Sequence, residues 1–279
     1  MKNDSIHIRQ CALLISLRCN LKCKLCLVYA PYYKNPQDFA LEEVIKSIDT
    51  YFSLIDTCST FNIQGGEPLL HKNLTEIINR TVAYKNQIGK ILLTTNGTLL
   101  PSSLLMETLW ESRDCIQVNI SDYGPNLSKK VTELVEMLEK AEIPYHVISY
   151  HGEDAHFGGW LDFTDHTYKH HTEEELIRNA EECGYRKGGN LAIRLGELYF
   201  CTRVARRIEL GIIPKNELSY VDMYSVKSLE EKRLNIRNIL EAQYTPACAY
   251  CVGKRSEAKH YSAAEQLTKD ELAVGVEIV

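Results

Sequence analysis

The chain has 279 residues, of which 44% are apolar and 25% charged, which suits one large domain, or one with a small appendage, around a sizeable core. The net charge of −5, without any Lys/Arg block, gives nucleic acid little electrostatic hold, and no apolar run approaches a membrane span. The opening MKNDSIHIRQ lacks the apolar core of a signal peptide, so a cytoplasmic protein is expected, and ten Cys in such a chain point to metal or redox chemistry rather than a disulfide framework.

In chain order, an apolar run over 12–17 predicts a first strand. It is followed at once by Cys19-Asn-Leu-Lys-Cys23-Lys-Leu-Cys26. Three thiols are an odd number for disulfides, and structural zinc wants four closed ligands. Three thiolates on a cubane of four irons leave one iron without a protein ligand, where a cofactor can bind. After a loop over 30–40, Leu41, Val44, Ile45, Ile48, Phe52 and Ile55 recur at helical spacing. A second strand over 60–64 ends in Gly65-Gly66-Glu67-Pro68. Two glycines there let the backbone approach a ligand closely, and Glu67 presents a carboxylate beside them.

The C-x3-C-x2-C spacing after a first strand, with GGEP one βα unit later, resembles the radical S-adenosylmethionine (SAM) superfamily. The resemblance implies that Cys19, Cys23 and Cys26 hold a [4Fe–4S] cluster whose open iron is chelated by the amino and carboxylate groups of SAM. An electron from that cluster cleaves SAM to a 5′-deoxyadenosyl radical, while the protein positions and tunes the cofactors. It further implies that Gly65, Gly66, Glu67 and Pro68 lie against the methionine amino group. One position departs from the family: the residue before the third Cys, usually aromatic, is Leu25. Its backbone can approach the adenine, but its side chain cannot stack.

A helix is predicted over 73–84 and a third strand over 91–95, ending in Asn96-Gly97, by itself a turn signal. The resemblance places Thr95 and Asn96 at the ligand end. A helix over 101–110 carries Pro near its start, where a missing N–H costs little. A fourth strand over 116–120 runs into Ser121, and the resemblance makes Asn119 and Ser121 candidates for the SAM ribose or carboxylate. Val131, Leu134, Val135 and Leu138 mark another helix, and 145–149 a fifth strand. Five strands alternating with four helices mean a parallel sheet with right-handed crossovers, with sites at the C-terminal strand ends. The implied fold is α/β, a partial (β/α)6 TIM-like barrel open on one side. Its sixth strand is sought in 158–163 or in part of the segment that follows.

Residues 150–171 are rich in ionisable and aromatic side chains. His151, His156, Asp162 and Asp165, with Arg203 further on, are candidates for a base in the pocket, His being the side chain most able to exchange a proton near neutral pH. A solvated loop is the plainer reading of any one of them. Thr172-x-x-Glu175 has capping-box form. Beyond it stand Cys183, Gly196, Cys201 and Cys248-Ala-Tyr-Cys251, with a hairpin over 190–194 and 198–200 turning at Gly196. Four thiolates suffice for zinc or for a closed [4Fe–4S] cluster. C-x12-G-x4-C, a gap, then C-x2-C resembles the auxiliary-cluster segment called SPASM when complete and Twitch when short. No Cys follows Cys251, so the shorter form with one auxiliary cluster is implied. This divides the chain into a radical SAM barrel over 1–171 and a Twitch-like segment over 172–279. Cys11, Cys58 and Cys115 read as core, with a hydrogen-atom donor as the alternative. Helices are expected over 228–242 and 254–267, the second over the barrel's open side, with the last residues fraying.

The whole arrangement is similar to 2-deoxy-scyllo-inosamine dehydrogenase-like enzymes of aminoglycoside biosynthesis. That resemblance implies hydrogen abstraction from a small polyol, sugar or aminocyclitol and oxidation of an alcohol to a ketone. The auxiliary cluster would accept an electron, and a flavodoxin- or ferredoxin-type donor would supply the reducing one. Three alternatives stand beside it. A peptide-modifying maturase, epimerase or crosslinking enzyme usually has a fuller SPASM segment and a leader-binding domain, for which the ten residues before the first strand leave no room. A redox-neutral sugar epimerase needs a Cys hydrogen donor. A non-enzymatic zinc or iron–sulfur protein has no use for GGEP.

Overall fold

The computed structural model describes residues 5–275. β1 (His7–Leu14) turns Gln10 and Ala12 inward to cavities and buries Cys11 beside Tyr51 of the first helix. The apolar residues Ile15 and Leu17, expected in this strand, lie beyond its end. Ile15 N still donates to Gln64 O at 2.9 Å, and both residues bond the loop over 37–39, through Leu17 N to Gln37 O at 3.0 Å and Phe39 N to Ile15 O at 3.0 Å. The rest of the first half follows the predicted alternation: α1 (Leu41–Leu54), β2 (Thr57–Gln64), α2 (Leu74–Val82), β3 (Ile88–Thr95), α3 (Ser103–Glu111), β4 (Ile116–Asp122), α4 (Val131–Lys140) and β5 (Tyr145–Ser149). β2 and β3 start three residues before their predicted starts, because Cys58 pairs with both Ile8 and Ile88. Ser102 caps α3 by accepting from Leu105 N.

The second half contains α5 (Glu173–Glu182), α6 (Gly184–Lys187), β6 (Asn190–Arg194), β7 (Glu197–Tyr199), α7 (Thr202–Glu209), β8 (Tyr220–Asp222), α8 (Leu229–Glu241) and α9 (Lys269–Gly275). Capping boxes at Thr172/Glu175 and Ser228/Glu231 start α5 and α8. The sheet order is β5-β4-β3-β2-β1-β6-β7-β8. β6 lies parallel to β1, with Gln10 opposite Asn190, whereas β7 and β8 are antiparallel. The sixth parallel strand is therefore the first arm of the expected hairpin, not 158–163. The result is an α/β fold with a parallel-rich sheet, and that sheet continues across position 171. Ile, Leu, Val and Phe from β1–β4 and α1–α4 form one core between sheet and helices.

The helix expected over 254–267 does not form. Gly253 has φ +75°, a conformation open to glycine. The segment after it pairs its backbone elsewhere: Trp160 and Tyr261 exchange two N–H···O bonds at 2.7 Å, and Lys24 N donates to Glu265 O at 2.7 Å. Tertiary pairing here overrides helix propensity. Residues 276–279, expected to fray, lie outside the described residues. No helix among the described residues is long and apolar enough to cross a membrane.

Candidate active site at the carboxyl ends of the strands

The turn after β2 fixes the start of the cysteine loop. Gly66 N donates to Ser16 O at 2.8 Å and Glu67 N to Arg18 O at 2.9 Å. A Cβ on Gly65 would overlap the Ser16 backbone, and one on Gly66 the Arg18 carbonyl. The glycines thus admit this chain's own backbone. Glu67 is fully buried and does not present its carboxylate to the cavity, contrary to expectation. It accepts from Leu69 N at 3.0 Å, Thr95 Oγ1 at 2.8 Å and Asn96 N at 2.8 Å, tying the end of β2 to the end of β3. Burial pushes its carboxyl above the ordinary range, against the pull of these donors. Pro68 opens the short 3-10 turn that follows.

Cys19, Cys23 and Cys26 edge a cavity of about 350 Å3 at the C-terminal strand ends. Leu25, Gly65, Gly66, Thr95, Asn96, Asn119 and Ser121 line it with them, so every expected SAM-contacting position except Glu67 and Pro68 reaches this space. Leu21 N donates to Cys19 Sγ at 3.4 Å and Gln266 Nε2 to Cys23 Sγ at 3.3 Å. Burial pushes the Cys19 thiol up to about 11 and Cys23 to about 12, so a metal that binds here must displace protons. Among the described residues no three Cys, His, Asp or Glu close on one metal ion. The thiols share a cavity instead, which suits a multinuclear cluster, and three of them leave one iron of four for a further ligand.

The opposite wall is aromatic, made by Tyr123, Tyr150, Phe157, Trp160 and Phe163, and it is completed by Tyr185 and Lys254 from the second half. Of the five candidate bases, His156 lines this cavity, its ring edge-on to Tyr150 with centroids 5.5 Å apart. His151 is exposed and pairs with Asp122 at 3.1 Å. Asp162 caps its own turn, accepting from Thr164 N at 2.9 Å and Asp165 N at 3.1 Å. Asp165 is bound to Lys169, which holds its carboxyl down at about 2. Cys11 and Cys58 are buried, and Cys115 donates to Ser112 O at 3.3 Å. None of these three thiols lines the cavity.

Arg203 belongs to a second cavity, which Cys183, Cys201, Cys248 and Cys251 line together. Cys183 ends α5, Cys201 precedes α7, and Cys248 and Cys251 lie in and just after a 3-10 turn. Arg203 Nη1 donates to Cys251 Sγ at 2.8 Å, Gly253 N to the same sulfur at 3.2 Å and Lys254 N to Cys183 Sγ at 3.4 Å. Arg207 binds the turn by donating to Ala247 O at 2.8 Å and Tyr250 O at 2.6 Å. Four thiols around one cavity, with N–H donors aimed at two of them, are a donor set for a closed multinuclear cluster rather than for a single zinc ion. Tyr185 lines both cavities. Sequence reading missed Tyr185, Lys254 and Gln266, which no local pattern marks. It also missed Gln10, Asn62 and Gln64, whose alternation with apolar neighbours on β1 and β2 was a readable signal.

An open parallel sheet with three thiols after β1, facing a large cavity at the strand ends, defines an α/β enzyme built around a metal cofactor. The chain belongs to the radical SAM superfamily, whose sequence profile matches residues 13–152, half of its length. Membership brings SAM and a SAM-binding [4Fe–4S] cluster. A GTP 3′,8-cyclase of Microcystis aeruginosa is 37% identical over 117 residues, 41% of this chain and 35% of that protein. A probable GTP 3′,8-cyclase of Methanococcus aeolicus is 34% identical over 141 residues, 48% of this chain and 46% of that protein. The chain thus spans about a third to a half of the length of these two relatives. The solved structure of polyhistidine-tagged anSMEcpe with bound AdoMet superposes with a TM-score of 0.52 at 15% identity, covering 96% of this chain and 94% of that one, a likeness of fold.

Proposed function

We propose that this chain is a radical SAM dehydrogenase that oxidises a small alcohol to a ketone, with Cys19, Cys23 and Cys26 holding the SAM-binding cluster and Cys183, Cys201, Cys248 and Cys251 holding an auxiliary one in a Twitch-like segment. The observation that carries this reading is the shared wall: Tyr185 borders both the large cavity and the four-thiol cavity. Bound there, a fully ligated cluster supplies a one-electron acceptor whose potential is set by burial and by hydrogen bonds to sulfur. The balance is then complete. Bound SAM would supply the acceptor for one hydrogen atom from the carbinol carbon, and the remaining proton and electron of the alcohol would pass to a base of this chain and to the auxiliary cluster. His156, which lines the cavity, would take that proton, and Thr95, Asn96, Asn119 and Ser121 would hold SAM. The aromatic wall limits water around the radical. A redox-neutral epimerisation finds less support, because Cys11, Cys58 and Cys115 stand away from the cavity.

The curated relatives favour a second reading, cyclisation of a purine nucleotide. Product mass separates the two. Anaerobic turnover of cluster-loaded protein with SAM, dithionite and a panel of alcohols is expected to yield 5′-deoxyadenosine together with a product lighter by two hydrogens. A GTP-derived product of altered connectivity, with no alcohol oxidised, would overturn the dehydrogenase.

A further inference from the structure

The large cavity continues, past Tyr185 and Lys254, into a chamber of about 290 Å3 bounded by Gln10, Asn62, Gln64, Asn190 and Thr202. No Asp or Glu among the described residues lines either space; beside the thiols of Cys19, Cys23, Cys26 and Cys201, the polar lining is amide, hydroxyl, His156 and one ammonium, that of Lys254. Lys254 is half-buried, and its Nζ lies 5.1 Å from the ring centre of Phe157 and 5.2 Å from that of Tyr185. Its backbone is held from both sides, Gly184 N donating to Lys254 O at 2.8 Å while Lys254 N donates to Cys183 Sγ at 3.4 Å.

Several half-buried cations of this chain have carboxylate partners: Arg18 pairs with Asp38, Lys169 with Asp165, Arg194 with Glu209; Arg186, Arg203 and Arg207, which have none among the described residues, line the four-thiol cavity instead. Among the described residues no carboxylate pairs with Lys254. An ammonium withdrawn from water needs an anion or strong acceptors in return, and the two rings give it only their π faces. The open direction is the cavity itself.

We propose that Lys254 is the residue that receives an anionic group of the substrate, so that the alcohol oxidised here carries a carboxylate or a phosphate and not an ammonium. The proposal rests on the dehydrogenase reading for the role of the large cavity, and it narrows the substrate class. An aminocyclitol would bring a second cation into a space without a carboxylate, beside Lys254 and close to Arg203. A sugar acid or a sugar phosphate would complete the pair that Lys254 lacks.

The test is equilibrium dialysis under anaerobic conditions, with cluster-loaded protein saturated with SAM. The probes are radiolabelled D-gluconate, D-glucose 6-phosphate, D-glucose and D-glucosamine, which share a six-carbon skeleton and differ in charge. Gluconate and glucose 6-phosphate separate the two sources of negative charge. Expected is preferential retention of one or both anions. That preference should fall on the order of tenfold in Lys254→Gln and survive in Lys254→Arg. Absence of an anion preference in the wild type, or one that Lys254→Gln leaves unchanged, overturns the proposal. So does a Lys254→Gln protein whose iron content or auxiliary-cluster potential changes while its anion preference does not, since Lys254 would then serve the thiols alone. Failure of the dehydrogenase reading looks different: an anion bound through Lys254, with SAM cleaved and no loss of two hydrogens.

Discussion

Replacing Glu67 tests whether GGEP acts as a clamp or as a ligand contact. Its carboxylate is fully buried and accepts three hydrogen bonds, from Leu69 N, Thr95 Oγ1 and Asn96 N. Glu67→Ala leaves all three donors without that partner, at about 1–3 kcal/mol for each buried group left unsatisfied. Two or three uncompensated donors then cost about 2–9 kcal/mol, a large share of the stability of a typical domain. Glu67→Gln keeps the shape and one acceptor oxygen but turns an amide N–H2 toward one donor, so about 2–3 kcal/mol is expected. The assay is anaerobic urea unfolding of metal-free protein, where a fall in midpoint at unchanged slope reads the loss directly. A loss below about 1 kcal/mol in Glu67→Ala, together with abolished SAM binding, would refute the clamp and return the carboxylate to the ligand.

Three further outcomes follow from the same geometry. Gly66→Ala places a Cβ on the Arg18 carbonyl, which is held by Glu67 N, so the cysteine loop must shift; iron retained by the protein with Cys183 and Cys201 both changed to Ala should drop sharply, and full retention would contradict the packing. Burial, then Arg207 and Arg206, hold His166 down at about 4 from an ordinary 6.5. Its contribution to stability is full above pH 6.5 and falls away as the pH drops toward about 4, so the urea midpoint of His166→Phe should fall less over that range than that of the wild type. Arg207→Met removes the donors to Ala247 O and Tyr250 O and frees the turn carrying Cys248 and Cys251; the iron count should fall toward that of the three-thiol site alone, and an unchanged count would show that the turn holds without it.

The five strands and four helices of the first half were legible because each βα unit closes locally, with its apolar periodicity intact. β6 was not. Residues 190–194 show a hairpin with 197–199, but their parallel partner is β1, at the far end of the chain, and no local pattern encodes a pairing at that distance. The GGEP and three-Cys segments were readable as a joint signature, yet their contacts were not: Gly65 and Gly66 pack on Ser16 and Arg18, and Glu67 points into the protein. The same holds for 254–267. Its composition suits a helix, while Gly253 and the bonds to Trp160 and to the cysteine loop draw it out as an extended strap. Gln266 reaches Cys23 only because of that strap. Lys254 borders the cavity only because Gly184 and Cys183 hold its backbone there.

The central claim is one SAM-cleaving cluster joined to a second site of four thiolates. Anaerobic reconstitution followed by iron and sulfide counting, on the wild type and on Cys183→Ala/Cys201→Ala, tests it most directly. Expected are about eight irons per chain in the wild type and about four in the variant, with both proteins still cleaving SAM under dithionite. About four irons in both proteins would contradict the second cluster, and the dehydrogenase reading would lose its electron acceptor.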